Sequence, residues 1–311
     1  MSPLNSSADT ADCSHLAPIA GGQGLTDAVP NACRVRRIEI SGQVYYLYCP
    51  PTIDASTRIL VSVHGISRNA RAHAEAFAAM AARLNWVVMA PLFGREQFPD
   101  YQWLGLGHRG SGVRADQALN TLLADLTQRT GVDSRQFYLF GFSGGAQFAQ
   151  RYALLHPERI HRLALASAGF YTFPDFSAPY PRGLAAKRRQ PQPLWLLEAA
   201  LCVPTAVFVG ERDCRRDRAL RKGPRVDAQQ GAHRVQRAER WVQAMAQALS
   251  RRDLETPLVL KKLAGCRHQF DQCVSKGSLN LEVMGFFTQA APFRSSGKAE
   301  RDPSTLLQFI A

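Results

Sequence analysis

The chain reads as one α/β domain, a mostly parallel central sheet with helices on both faces and a cap-like insertion. Three observations lead there. Apolar, β-branched runs alternate with segments of helical periodicity along most of the 311 residues. Hydrophobic residues make up 46% of the chain, enough to cover both faces of a sheet. A strand-like run, 137–140, also breaks at Gly141-Phe142-Ser143-Gly144-Gly145 directly into a helix-like segment.

Taken in order, residues 1–33 form a polar, Gly-rich leader, expected to be loose. Residues 34–40 and 44–49 read as an antiparallel pair turned at Ser41-Gly42. A buried strand, 59–63, runs out into His64-Gly65-Ile66. Helix 70–84 sets Phe77, Met80, Ala81 and Leu84 on one face, and strand 86–90 is expected to stop at Pro91. Helix 115–129 turns Leu119, Leu122, Leu123 and Leu126 inward. After the serine turn come helix 144–155, strand 160–166 and strand 204–209. Helix 232–250 packs Trp241, Val242, Met245 and Leu249, and strand 257–263 precedes a last helical segment, 278–289. The domain therefore spans 34–291, with a tail over 292–311. Residues 169–203 enter between two core strands as a lid-like insertion. It carries Phe170, Tyr171, Phe173, Phe176, Tyr180 and Trp195.

The serine turn carries the chemistry. A serine at a sharp strand-to-helix turn is strained, so the residues two places either side must be small, and Gly141 and Gly145 fill both places. The turn lifts the hydroxyl above the sheet edge and leaves the Gly144 amide facing the same space. On turns of this kind the acid follows the serine in the chain and a histidine comes last. Strand 204–209 runs out into Gly210-Glu211-Arg212-Asp213, which places Asp213 just past a strand end, where functional groups of open α/β sheets gather. Asp213 is preferred as the acid over Glu211 and Asp217. Strand 257–263 is followed by Gly265-Cys266-Arg267-His268, and among eight histidines His268 alone follows both serine and acid. His108, in the Gly-rich loop 105–112, is its competitor and reads better as a cleft-lining residue. The second donor for a developing oxyanion is expected from the Ile66 amide, which the Gly65 turn directs inward, while His64 braces that turn.

On Val63-His64-Gly65, Gly141-Phe142-Ser143-Gly144-Gly145, Val209-Gly210-Glu211-Arg212-Asp213 and Gly265-Cys266-Arg267-His268 the chain resembles the α/β-hydrolase superfamily. Within it, the chain is similar to bacterial esterases of the polyhydroxybutyrate depolymerase and feruloyl esterase type. The resemblance covers roughly 34–290. It implies the α/β-hydrolase fold, a triad of Ser143, Asp213 and His268, and oxyanion amides at Ile66 and Gly144. The expected activity is hydrolysis of small or oligomeric carboxylic esters through an acyl-enzyme on Ser143. A thioesterase or small-peptide hydrolase shares the same triad, and a catalytically silent scaffold binding an acidic partner is the reading of another class. Tyr101, Trp103, His108, Phe170 and Tyr171 are the expected substrate-lining residues, with the insertion as a partly apolar wall for an acyl or aryl group.

Composition narrows the remaining classes. The formal charge is +13, but its arginines are scattered and no nucleic-acid-binding signature accompanies them, so no nucleic-acid partner is expected. The densest basic stretches, 181–189 and 212–225, border the expected cleft and can steer anions. No apolar run reaches 18 residues, so no membrane span is expected. The first residues lack a basic and apolar leader, from which a cytoplasmic location is expected. Seven cysteines fit reduced thiols better than a disulfide framework. Cys266, His268, Asp271 and Cys273 are too crowded for one ion, so neither metal nor cofactor is expected. Oligomeric state is left open.

Overall fold

A computed structural model describes residues 33–106, 114–186 and 193–289. Its eight strands form one sheet in the order β1-β2-β4-β3-β5-β6-β7-β8. The strands β1 (Arg36–Ile40) and β2 (Gln43–Tyr48) are an antiparallel hairpin, and β2 also runs antiparallel to β4 (Trp86–Leu92). The hairpin turn needs positive φ at both central residues, and Ser41 and Gly42 have φ of 48° and 75°. From β4 onward the neighbours β3 (Arg58–Val63), β5 (Phe137–Phe142), β6 (Ile160–Ala166), β7 (Thr205–Gly210) and β8 (Leu258–Leu263) are all parallel. Six consecutive parallel strands present their carboxyl ends on one edge, and the segments that carry Ser143, Asp213 and His268 follow from there.

Helices cover both faces. On one face, α1 (Ala70–Leu84), α7 (Phe270–Ser275) and α8 (Leu279–Thr288) bury Phe77, Phe270, Val283, Met284 and Phe287 against Leu60, Phe140, Ala164 and Phe208. On the other, α2 (Ala115–Thr130), α3 (Gly144–Leu155) and α6 (Arg234–Ser250) bury Leu119, Leu123, Phe148, Tyr152 and Trp241 against Val61, Leu139, Leu165 and Val207. The odd and even side chains of each central strand go to opposite cores, which is why these strands read as unbroken apolar runs. Two short helices, α4 (Leu197–Leu201) and α5 (Pro224–Gln230), lie in the connections around β7.

Strand β4 outruns its expected end. Pro91 does not end β4; it sits within it, opposite Tyr45 of β2. The β3 partners of β4 stop at Met89, so beyond that point the missing proline N–H interrupts no ladder on the β3 side.

The insertion is anchored where it is described. Tyr180 stacks on Trp195 with ring centroids 5.1 Å apart, and its hydroxyl donates to the Trp103 carbonyl at 2.9 Å. Tyr171 stacks on Trp241, and Phe170, Phe173 and Trp195 are buried, whereas Phe176 is exposed. Most of the aromatic load of the insertion is therefore packing on the domain. Among the described residues no helix is long and apolar enough to cross a membrane.

Candidate functional site

Ser143 follows the last residue of β5 and caps α3, with φ 55° and ψ −110°. Both neighbouring glycines are obligatory on steric grounds. A Cβ on Gly141 would lie 2.2 Å from the Gly145 carbonyl oxygen, and one on Gly145 would lie 2.1 Å from the Val63 oxygen. The turn is thus wedged between its own helix and the end of β3. Its amide donates to the Ala166 carbonyl at 2.7 Å, which ties it to β6.

The three side chains expected from the sequence come together. Ser143 Oγ lies 2.9 Å from His268 Nε2, and His268 Nδ1 lies 2.7 Å from Asp213 Oδ2. A carboxylate can only accept, so the Nδ1 hydrogen points to Asp213 and Nε2 is left to accept from the serine hydroxyl. Asp213 is buried, and the His268 ring packs against Phe142 at 5.4 Å. The two loops that carry acid and histidine are joined by backbone bonds. Glu211 N donates to Leu263 O at 2.9 Å and Arg212 N to Cys266 O at 2.8 Å. Gly210 permits that approach, since a Cβ there would lie 2.5 Å from the Cys266 oxygen.

The rival acids are engaged elsewhere. Glu211 Oε2 accepts the Gly265 amide at 2.9 Å, which fixes the turn before His268. Asp217 takes a two-pronged bond from Arg234, Nη1 to Oδ2 at 2.7 Å and Nη2 to Oδ1 at 3.1 Å. Burial pushes the Asp217 carboxyl up, but the Arg234 bonds and charge outweigh it and hold it below the usual range. Arg234 Nη1 also reaches Asp213 Oδ1 at 3.4 Å, so this buried guanidinium backs Asp213 from behind. Sequence reasoning missed Arg234, which lies at the start of α6, far along the chain from every motif.

On the other side of the serine, the turn after β3 presses close. A Cβ on Gly65 would lie 3.4 Å from Ser143 Cβ, and one on Gly144 would lie 3.1 Å from Ile66 Cγ2. The amides of Ile66 and Gly144 find no acceptor among the described residues. His64 holds the turn: its ring nitrogens bond the Gly65 carbonyl (Nδ1, 2.7 Å) and accept the Phe93 amide (Nε2, 3.0 Å). Burial lowers the His64 pKa to about 4, so the ring stays neutral and keeps the Phe93 bond at ordinary pH. The Tyr101 hydroxyl donates to the His64 carbonyl at 2.8 Å. One turn of α1 away, His73 is bonded to Ser62 Oγ and stacked 3.8 Å from Phe270, a packing role within the core under the site.

The expected lining residues divide. Tyr101, Phe170 and Tyr171 are buried, while Trp103 is partly exposed. His108 lies outside the described residues. Among the described residues no group of three or more His, Cys, Asp or Glu side chains is arranged to hold a metal ion. Cys266 and Cys273 are instead buried, and burial raises the Cys273 thiol to about 12.

No protein-family model and no curated protein sequence matches the chain. Solved structures do. Poly(aspartic acid) hydrolase-1 from Sphingomonas sp. KT-1 superimposes with a TM-score of 0.68 at 24% identity, over 81% of this chain and 98% of that one. The poly(3-hydroxybutyrate) depolymerase LpqC from Bordetella parapertussis gives 0.66 at 21% identity, over 83% and 91%. This chain has the α/β-hydrolase fold. An S-formylglutathione hydrolase from Agrobacterium tumefaciens is similar at longer range, with a TM-score of 0.53 and 15% identity over 80% of this chain and 94% of that one. At these identities the likeness concerns the fold, and the argument for activity rests on the side chains themselves.

Proposed function

We propose that the chain is a serine hydrolase that cleaves carboxylic esters through an acyl-enzyme on Ser143. The observation that carries this reading is the continuous line from Ser143 Oγ through His268 to the buried Asp213, at 2.9 and 2.7 Å. It lies beside two amides with no acceptor among the described residues. A solvated serine and histidine have no reason to meet at such distances with a buried carboxylate behind them.

The steps follow from the geometry. Ser143 Oγ attacks the ester carbon while His268 Nε2 takes its proton, and Asp213 holds the ring and stabilises the imidazolium. The carbonyl oxygen becomes an oxyanion held by the Ile66 and Gly144 amides. Collapse expels the alcohol, which receives the proton from His268 and leaves the acyl group on Ser143. Water then enters, gives a proton to His268 and attacks the acyl carbon; collapse breaks the bond to Ser143 Oγ, which takes the proton back from His268 as the acid leaves. Strain at Ser143 and the wedge formed by Gly141 and Gly145 keep the hydroxyl in place throughout. The three similar structures are named as hydrolases of different bonds, in keeping with a triad that does not by itself select a leaving group.

The test is turnover of p-nitrophenyl esters by Ser143→Ala. It is expected to lower kcat by roughly 10⁶-fold, as loss of a nucleophile does in comparable triads. Near-normal turnover by a pure sample of this variant contradicts the mechanism.

A further inference from the structure

The wall beside Ser143 contains positive charge that no carboxylate of the described residues answers. Arg151 is wholly buried in α3. Its Nη1 donates to the carbonyls of Gln102 and Gln147, and its Nε donates to Thr172 Oγ1, so all of its partners are neutral. Its Nη2 has no partner among the described residues, and its guanidinium lies 4.3 Å over the Trp103 ring. Burial lowers its pKa only to about 10, which leaves it charged at neutral pH.

A second guanidinium sits on the same rings. Arg221 is exposed and lies 5.4 Å over Trp103 and 5.5 Å over Phe170. Three other arginines of this region, Arg216, Arg234 and Arg237, are paired with Asp227, Asp217 and Asp213. Arg221 makes no ion pair among the described residues. Stacking on the two aromatic rings fixes its direction, so the fork is presented at low entropic cost.

This wall adjoins the nucleophile. Tyr101–Trp103 form one 3₁₀ turn, and the Tyr101 hydroxyl would lie 2.6 Å from a Cβ on Gly144. Gln147, one helical turn after Ser143, donates its amide to the Ser143 carbonyl at 3.2 Å. A Cβ on Gly169 would rest in ordinary contact with Gln147 Nε2, Leu220 Cδ1 and Arg234 Nε, at 3.5, 3.8 and 3.8 Å. Arg234 Nε and Gln147 Oε1 are buried there without partners among the described residues. This polar lining, a donor at Arg234 Nε and an acceptor at Gln147 Oε1, is badly matched to the plain acyl or aryl group expected from the aromatic content of the insertion.

Resting on the serine hydrolase reading above, we infer that the substrate carries a carboxylate, bound by Arg221 against Trp103 and Phe170 at this end of the cleft. Arg221 is then a specificity-determining residue, and the buried charge of Arg151 adds to the field that favours the anion.

The experiment compares two matched ester pairs with the purified chain at low salt. The first pair, p-nitrophenyl hydrogen adipate and its methyl ester, places or removes the charge on the acyl side. The second, 4-acetoxybenzoate and its methyl ester, does so on the leaving group. In at least one pair kcat/KM is expected to favour the charged member by roughly tenfold, the scale of one charge-assisted hydrogen bond. Added salt is expected to reduce that preference, and Arg221→Gln to lower it toward unity. Arg218→Gln, which removes an exposed arginine of the same loop that rests on no ring, is expected to keep it. Equal or lower kcat/KM for the charged member of both pairs overturns the inference while leaving ester hydrolysis at Ser143 intact. An equal loss of the preference in Arg221→Gln and Arg218→Gln overturns it too, because general charge would then account for the effect. If no ester in either pair is hydrolysed, the serine hydrolase reading and this inference fall together.

Discussion

Replacing Ser143 by glycine and by alanine separates strain from chemistry. At φ 55° and ψ −110° the residue occupies a region that side-chain-bearing residues avoid, at a cost of about 1–3 kcal/mol. Both variants lose the 2.9 Å bond to His268, so that loss cancels between them. Alanine keeps the Cβ and therefore the strain. Glycine relieves it but gives back about 0.5–1 kcal/mol through the greater freedom of the unfolded chain. The glycine variant is therefore expected to be the more stable by about 0.5–2 kcal/mol. With roughly 2–4 °C of Tm per kcal/mol in a domain of this size, it melts about 1–8 °C above the alanine variant. Thermal unfolding followed by circular dichroism on the two inactive proteins measures the difference. A Ser143→Gly protein that melts at or below Ser143→Ala refutes the idea that the turn is held under strain.

Other consequences are as direct. Gly145→Ala forces a methyl to 2.1 Å from the Val63 oxygen, backbone against backbone. It is expected to abolish activity and lower Tm by several degrees, and a fully active variant would contradict the wedge. Asp213→Asn is expected to cost on the order of 10⁴-fold in kcat by favouring the wrong imidazole tautomer. Glu211→Gln, which keeps an acceptor for the Gly265 amide, is expected to be mild, and the reverse order reassigns the acid. The pH dependence of stability follows from His64. Its pKa falls from 6.5 to about 4 on folding, so the unfolded chain binds the extra proton, and the neutral ring's stabilisation is complete above pH 6.5 and is lost as pH falls toward 4. Between pH 6.5 and 5 that share is on the order of 2 kcal/mol. His64→Gln, whose side chain can still accept from Phe93, should lack this part of the slope in urea titrations. An unchanged slope removes His64 from the account.

What was legible in the sequence follows the strand ends. Ser143 directly follows strand β5, and Asp213 and His268 come three and five residues after the ends of β7 and β8. In a parallel sheet such strand ends share one edge, so chain order and strand count sufficed to bring them together. The Ile66 turn was visible for the same reason. Pro91 misled because a proline inside an apolar run reads as a stop, and nothing local reveals that the pairing of β4 with β3 has already ended at Met89. Arg234 was invisible because its partners, Asp213 and Asp217, meet it only through the folding of α6 back onto the loop after β7. Gly210 had a usable signal, a glycine at a strand end immediately before the acid loop. The burial of Tyr101, Phe170 and Tyr171 was not legible, because aromatic content does not distinguish a wall from its surface.

The claim that Ser143 is an activated nucleophile is tested most directly by fluorophosphonate labelling followed by peptide mass spectrometry. The account predicts a single adduct, on Ser143, formed by the unaltered chain, lost in Ser143→Ala and strongly slowed in His268→Gln, where no base remains to accept the hydroxyl proton. An unlabelled Ser143 in a folded sample, or an adduct on another residue that accounts for its ester hydrolysis, contradicts it.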